Sequence, residues 1–253
     1  VDMDFRDGGP AQIVQQATAE GQATAAQLAA AGLDFTGIVG AGQAGLVASY
    51  AARRDGEATV AVKADLRNAA LALAGWSKAP GQPATASASL LIRNERLQGI
   101  RELQAQGPGL EVRGRAEMVG GRPLHLILDP IHIGPTRARG EIRLPPSTQE
   151  PIRATLQGTV LDLSAQLERK PPTRPAGARE EPGTPFVADV RFDKVLLSGE
   201  RSISAVTAHA ENDGRRLSVL HVQSTGREQV RLDVVPRGNG RAVTLRSADA
   251  GGL

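Results

Sequence analysis

The sequence predicts a mainly β protein: an elongated, twisted antiparallel sheet forming an open groove, with one short helical segment near the N-terminus. Apolar residues recur with a period of two along most of the chain, Gly-containing turn pairs separate the alternating runs, and a helical period is confined to one early segment. Alternation of this kind gives a strand one dry and one wet face.

The helical signal lies at about 10–31. Pro10 suits a first helical turn, an Ala- and Gln-rich run follows, and Gly32 is placed to cap the end. Ile13, Val14, Ala17, Ala25, Leu28 and Ala29 recur roughly at helical spacing, interrupted by Gly21. From Leu33 the period is two. Val60 and Val62 alternate with Ala61 and Lys63, and Leu90 and Ile92 with Ser89 and Arg93. Leu124, Leu126 and Leu128 repeat the pattern, as do Ile142 and Leu144. Asp55-Gly56, Asn94-Glu95, Gly107-Pro108-Gly109 and Gly120-Gly121 stand between strands as turns.

These signals divide the chain into a β-groove segment at 1–167, a Pro-rich loop at 168–185 expected to be disordered, and a β-meander at 186–253 that continues the sheet. Five prolines within the loop remove backbone donors and fix φ, which ends any ladder there. The meander is expected at Phe186–Leu197, Ser202–Asn212, Arg215–Ser224, Val230–Val235 and Arg241–Ser247. Its strands are long and its turns short, which suits an extended sheet better than a sandwich.

Composition excludes several functions. The chain has 253 residues, 30 Lys and Arg against 27 Asp and Glu, and aromatic residues at only 2%. So few rings, and so small a cationic surplus, argue against stacking on single-stranded bases or neutralising a phosphate backbone, so no nucleic-acid partner is expected. Cysteine is absent, which removes disulfides, thiolate catalysis and thiolate metal sites. No apolar run approaches the ~20 residues of a spanning helix. The strand-like opening Val1 to Phe5, with neither an initiator Met nor a leader, reads as a piece of a longer protein.

Chemical motifs are sparse. Gly40, Gly42 and Gly45 form a formal G-x-G-x-x-G with Asp65 further on, as a dinucleotide site would require. The preceding segment carries Asp34, Thr36 and Gly37 where a buried parallel strand should be apolar, and no further βαβ units follow. A glycine-rich strand bend is the better reading. Gly75-Trp76-Ser77-Lys78-Ala79 lacks the last glycine of a nucleophile elbow and reads as a loop anchored by Trp76. His125, His132, His209 and His221 have no helical metal-site spacing, and the carboxylates are dispersed. No catalytic, cofactor-binding or metal-binding residue is assigned, and the chain is expected not to be an enzyme.

The run Asp65-Leu66-Arg67-Asn68-Ala69-Ala70-Leu71 leading to Gly75-Trp76-Ser77-Lys78 resembles the AsmA-like, YhdP-type envelope proteins of Gram-negative bacteria. Thr136 to Ile142, Gly158 to Ser164, the stretch around Gly199-Glu200-Arg201 and Arg246 to Gly251 are similar as well. The resemblance implies a periplasmic β-groove, anchored in the inner membrane by a helix outside this segment, that moves phospholipid between inner and outer membranes. It carries over no catalytic residue.

On that reading Val60, Val62, Leu71, Leu73, Leu90, Ile92, Leu126, Leu128, Ile142 and Leu144 line one apolar face that takes acyl chains. Such shielding answers a cost of ~0.8 kcal/mol per exposed CH₂, or roughly 13 kcal/mol for ~16 carbons. The competing reading is a non-catalytic structural or interaction module of the envelope, its sheet closed by a second layer and its edges binding envelope proteins.

Overall fold

A computed structural model describes residues 1–3, 8–30, 37–73, 75–119, 122–145, 147, 150–168, 183–198, 201–227, 229–238 and 240–248. The chain divides into two units, Val1–Gly134 and Pro135–Leu253.

The first unit opens with β1 (Asp2–Met3), β2 (Ile13–Ala23), the helix α1 (Ala25–Ala30) and β3 (Val39–Gly42). There follow β4 (Ala44–Arg53), β5 (Glu57–Asp65), β6 (Ala69–Leu73) and β7 (Trp76–Lys78). It ends with β8 (Thr85–Arg93), β9 (Arg96–Gly107), β10 (Leu110–Val119) and β11 (Arg122–Ile133). The main sheet runs β1-β2-β4-β5-β8-β9-β10-β11, antiparallel throughout, while β3, β6 and β7 form a separate three-stranded sheet.

In the second unit the strands are β12 (Thr136–Arg143), β13 (Ile152–Asp162), β14 (Phe186–Leu196), β15 (Ser202–Asn212), β16 (Leu217–Ser224), β17 (Arg231–Arg237) and β18 (Gly240–Arg246). They pair in chain order. The pairing is antiparallel except between β13 and β14, which are parallel. A five-residue helix, α2 (Ser164–Glu168), follows β13, and the carboxylate of Asp162 accepts a hydrogen bond from the Ser164 amide at 2.9 Å. Neither sheet closes into a barrel.

The expectation of a helix over about 10–31 is corrected. Residues 13–23 are strand, and only Ala25–Ala30 are helical. Ala17, Ala19, Gly21 and Ala23 lie opposite Tyr50, Ala48, Leu46 and Ala44, while Gln16, Thr18, Glu20 and Gln22 occupy the other face. The period is therefore two, written in alanine and so nearly invisible as hydrophobicity. Ladder pairing with β4 overrides the helical preference of Ala and Gln. Thr24 explains where the short helix begins. Its hydroxyl accepts from the Gln27 amide at 3.3 Å while its own amide donates to the Gln27 side chain at 2.9 Å, a capping box.

Most of the predicted loop at 168–185 lies outside the described residues, as do Gly32 and the Gly120-Gly121 turn. The sheet is antiparallel as expected, with one exception on either side of that loop, where β13 and β14 run the same way.

Packed cores are small. In the second unit Phe192, Val195, Ile203, Val206 and Val230 form a cluster, with Phe192 the largest fully buried side chain described. In the first unit Ala69, Leu71 and Ala84 pack with Val39, Leu66 and Trp76. Elsewhere many apolar side chains are half-buried, with Leu110, Ala116 and Ile131 buried and Val243 and Leu245 exposed.

Candidate functional site

Partners paired across a ladder share a face, so the registers assign each side of the first unit's main sheet. Tyr50 opposes Val60, Val60 opposes Leu90, and Leu90 opposes Ile100. The row continues through Ala116 to Leu126. A second row runs from Ala48 through Val62, Ala88 and Leu103 to Gly114 and Leu128. Ala58, Ile92 and Leu97 form a third. Every side chain in these rows is apolar or nearly so. They cross six adjacent strands, about 24 Å at the usual strand spacing.

The opposite face has the reverse character. Lys63 stands between Val47 and Ser87, followed by Gln104 and Arg113, while Ser49, Ala61, Ser89 and Glu102 make the next row. The apolar rows are mostly half-buried: Ala58 and Ala116 are each 6% exposed, whereas the larger Val60, Leu90, Ile100 and Leu126 between and beside them keep part of their surface. Lateral neighbours shield them, as in any sheet. A second layer of large side chains would have buried them.

The expected lining residues separate into three places. Val60, Val62, Leu90, Ile92, Leu126 and Leu128 share the apolar face of the first unit. Leu71 and Leu73 do not, because β6 has left the main sheet. Leu71 is 5% exposed in the small core, and Leu73 is half-buried opposite Trp76. Ile142 opposes Ala154 in the second unit, and Leu144 follows β12.

The three-stranded sheet sits against one end of the main sheet. The Leu66 amide donates to the Ala84 carbonyl at 2.8 Å, and the Trp76 indole donates to the Pro108 carbonyl at 2.9 Å, in the turn between β9 and β10. Within it Lys78, the last residue of β7 and 2% exposed, donates from Nζ to the carbonyls of Ala69, Ala79 and Arg67 at 2.8, 2.9 and 3.1 Å. Burial pushes its ammonium below the ordinary lysine range, opposed by the charge of Asp65. Three carbonyls hold the charge that the burial disfavours. The cap is thus braced from within by Lys78, which the sequence showed only as one position of the run at 75–79.

Gly40 and Gly42 lie in β3 and Gly45 in β4, in antiparallel strands, so no strand-to-helix phosphate loop exists there. Gly42 has φ +102°, and the register between β3 and β6 shifts beside it, as the strand-bend reading requires.

At the other end of the sheet Glu57, 8% exposed, is gripped by Arg101, Arg93 and Arg53 at 3.2, 3.3 and 3.4 Å. In the second unit His209 and His221 are directly opposed on β15 and β16. His209 Nδ1 lies 2.7 Å from Asp189 and Nε2 3.1 Å from Glu211, and His221 Nδ1 lies 2.8 Å from Asp233. Among the described residues no cluster of histidine and carboxylates is arranged to hold a metal ion, and no helix is long and apolar enough to cross a membrane.

The fold and its faces define a class: an open, mainly β protein whose first unit has one continuous apolar side. Comparison with protein-family models, curated proteins and solved structures finds no match to this chain.

Proposed function

We propose that the apolar face of the main sheet holds the acyl chains of a phospholipid, and that the chain serves as a segment of a lipid-shielding scaffold in a Gram-negative envelope. The observation that carries this reading is the pair of unbroken apolar rows through Leu90 and Leu126 and through Val62 and Leu128, half-exposed across six strands. Aliphatic side chains dominate, so neighbouring positions differ little in affinity for a methylene and a chain slides between them over small barriers. The periplasmic location, the inner-membrane anchor and transfer between the two membranes rest on the resemblance to AsmA-like proteins.

The chemistry asked of the protein is shielding alone. It forms no bond to its ligand, uses no cofactor and needs no head-group contact on this face.

Mass spectrometry of the gently purified protein tests the reading. Phospholipid should accompany the wild type and Ser87→Asp, which places its charge opposite Lys63 on the polar face. It should be lost from Leu90→Asp and Leu126→Asp, because a carboxylate there must either lose its hydration or leave a wet gap in the row. Leu90→Ser serves as a milder variant, with circular dichroism confirming its fold. Lipid absent from the wild type, or equal in all variants, would overturn the proposal and favour a module that binds proteins.

A further inference from the structure

The polar face of the second unit carries an arrangement invisible in the linear sequence. Arg139 opposes Gln157, Gln157 opposes Arg191, and Arg191 opposes Thr207. Gln223 then leads to Arg231, and Arg231 to Arg246. One transverse row thus crosses all seven strands with four arginines, two amides, a hydroxyl and no carboxylate. Arg139, Arg191 and Arg246 have no ion-pair partner among the described residues.

Between Arg191 and Arg231 the face sinks into a concavity of about 460 Å³, floored by Thr207 and flanked by Gln157 and Gln223. The two arginines are three strands apart, about 14 Å at the backbone, a span that two extended arginine side chains close from either side. The carboxylates of the adjoining row are already engaged. Asp189 is held by His209, and Asp233 by His221 together with the Arg231 Nε at 2.9 Å. Asp189 and Asp233 both line the concavity, each with a partner of its own, which leaves the Arg191 guanidinium and the terminal nitrogens of Arg231 as its spare donors. His209, its pKa raised by its hydrogen bonds to Asp189 and Glu211, offsets carboxylate charge beside the concavity.

We propose that the concavity between Arg191 and Arg231 binds a phosphate group, as the free anion or as a phosphate ester. Guanidinium forks match phosphate oxygens. A tetrahedral oxyanion also has acceptors left for the Thr207 hydroxyl and the flanking amides, which a carboxylate would not. The site lies on the face opposite the row Leu156, Val190, Ala208 and Val222 of the second unit and requires no acyl chain, so it stands or falls separately from the lipid function proposed for the first unit.

The test titrates the whole chain with inorganic phosphate, with glycerol phosphate, and with vesicles of phosphatidylglycerol against phosphatidylcholine, following heat and the imidazole resonances of His209 and His221. Saturable binding that weakens with added salt is expected, and Arg191→Gln should weaken it at least tenfold. The Arg191 side chain makes no hydrogen bond among the described residues, so the variant should stay folded. Arg143→Gln, on the same face but outside the row and paired with Glu141 at 3.5 Å, should change affinity less than twofold. Soluble phosphates binding with this Arg191 dependence assign a free or esterified phosphate, and phosphatidylglycerol alone doing so assigns a lipid head group. Either supports the site. Failure of every probe, or equal loss in both variants, overturns it.

Discussion

His209 Nδ1 stands 2.7 Å from the Asp189 carboxylate directly across the β14–β15 ladder, and its Nε2 reaches Glu211 at 3.1 Å. Both nitrogens are therefore offered carboxylate acceptors, which only the imidazolium can satisfy together.

The hydrogen bonds from Asp189 and Glu211 raise the histidine's pKa above its ordinary value. A raised folded value stabilises the protein fully below the unfolded histidine pKa, and the contribution is lost as pH rises through the folded value. NMR titration of the His209 ring should show the upward shift, and Asp189→Asn should reduce it. Urea denaturation should find the Asp189→Asn penalty larger at pH 6 than at pH 9. An Asp189→Asn protein with an unchanged His209 titration would disprove the pairing.

Asp233 works in the opposite sense. Its hydrogen bonds from His221 and then Arg231 hold its carboxyl below the usual carboxylate range. That contribution is present above the unfolded carboxylate pKa and disappears as pH falls through the folded value. Acid unfolding of Asp233→Asn should lack this component, so its stability should depend less on pH below about 4 than that of the wild type.

The Glu57 cluster is a stronger test of the other unit. Its carboxylate is nearly buried while Arg53, Arg93 and Arg101 are each about half-exposed. Glu57→Gln leaves three guanidinium groups converging without a counter-charge. We expect a loss of about 1–2 kcal/mol in chemical denaturation, the partly solvated arginines limiting the effect. Much of that loss should persist in moderate salt, because the carboxylate side of each pair is shielded from water. No measurable change would mean that the arginines are solvated independently.

Much of this fold was legible as period. The alternations around Val60, Leu90 and Leu126 assign a side within each strand, and it is the registers that bring the three to one face in the first unit. The same method failed at β2, where Ala17, Ala19 and Ala23 carry too little hydrophobicity to mark a face. It failed again at Leu71, because alternation states which side of a strand a residue occupies but not which sheet the strand joins. The histidine pairing and the arginine row depend on registers across several turns and on one parallel ladder. No local spacing encodes them.

Lys78 and Trp76 make the cap experimentally visible. Trp76 is the single tryptophan, and its indole donates to Pro108 while Lys78 holds three carbonyls within the same small sheet. Lys78→Ala removes those donors and leaves a cavity, at a cost of about 2–4 kcal/mol. The tryptophan emission should shift to the red as the cap loosens, before global unfolding in a urea titration. Coincident transitions in wild type and variant would show the cap to be part of one cooperative unit.

Gly42 provides a backbone test against a matched control. It has φ +102°, and a side chain there would run into the Asn68 carbonyl, whereas Gly21 on β2 has open space around its missing Cβ. Gly42→Ala should cost about 2 kcal/mol or more, combining left-handed strain with displacement of the β3–β6 contact. Gly21→Ala, in an ordinary strand conformation, should be neutral or slightly stabilising. If the two variants are equally stable, the bend at Gly42 is not the fixed feature described above.

The apolar rows make a graded prediction about ligand length. A methylene transferred fully from water is worth ~0.8 kcal/mol, close to fourfold in affinity, and one shielded on a single side recovers about half of that. Single-chain phosphocholines of 10, 12 and 14 carbons should therefore bind below their micelle-forming concentrations with affinities rising about two- to fourfold per CH₂. The gain should be blunted in Leu126→Asp, whose charge interrupts the row that begins at Tyr50 and Val60, and retained in Ser87→Asp on the other face. Head group should matter little, since no charged side chain belongs to the Leu90 or Leu128 rows. Affinity that follows head-group charge and ignores chain length would contradict an acyl-shielding surface and move the ligand to the polar faces.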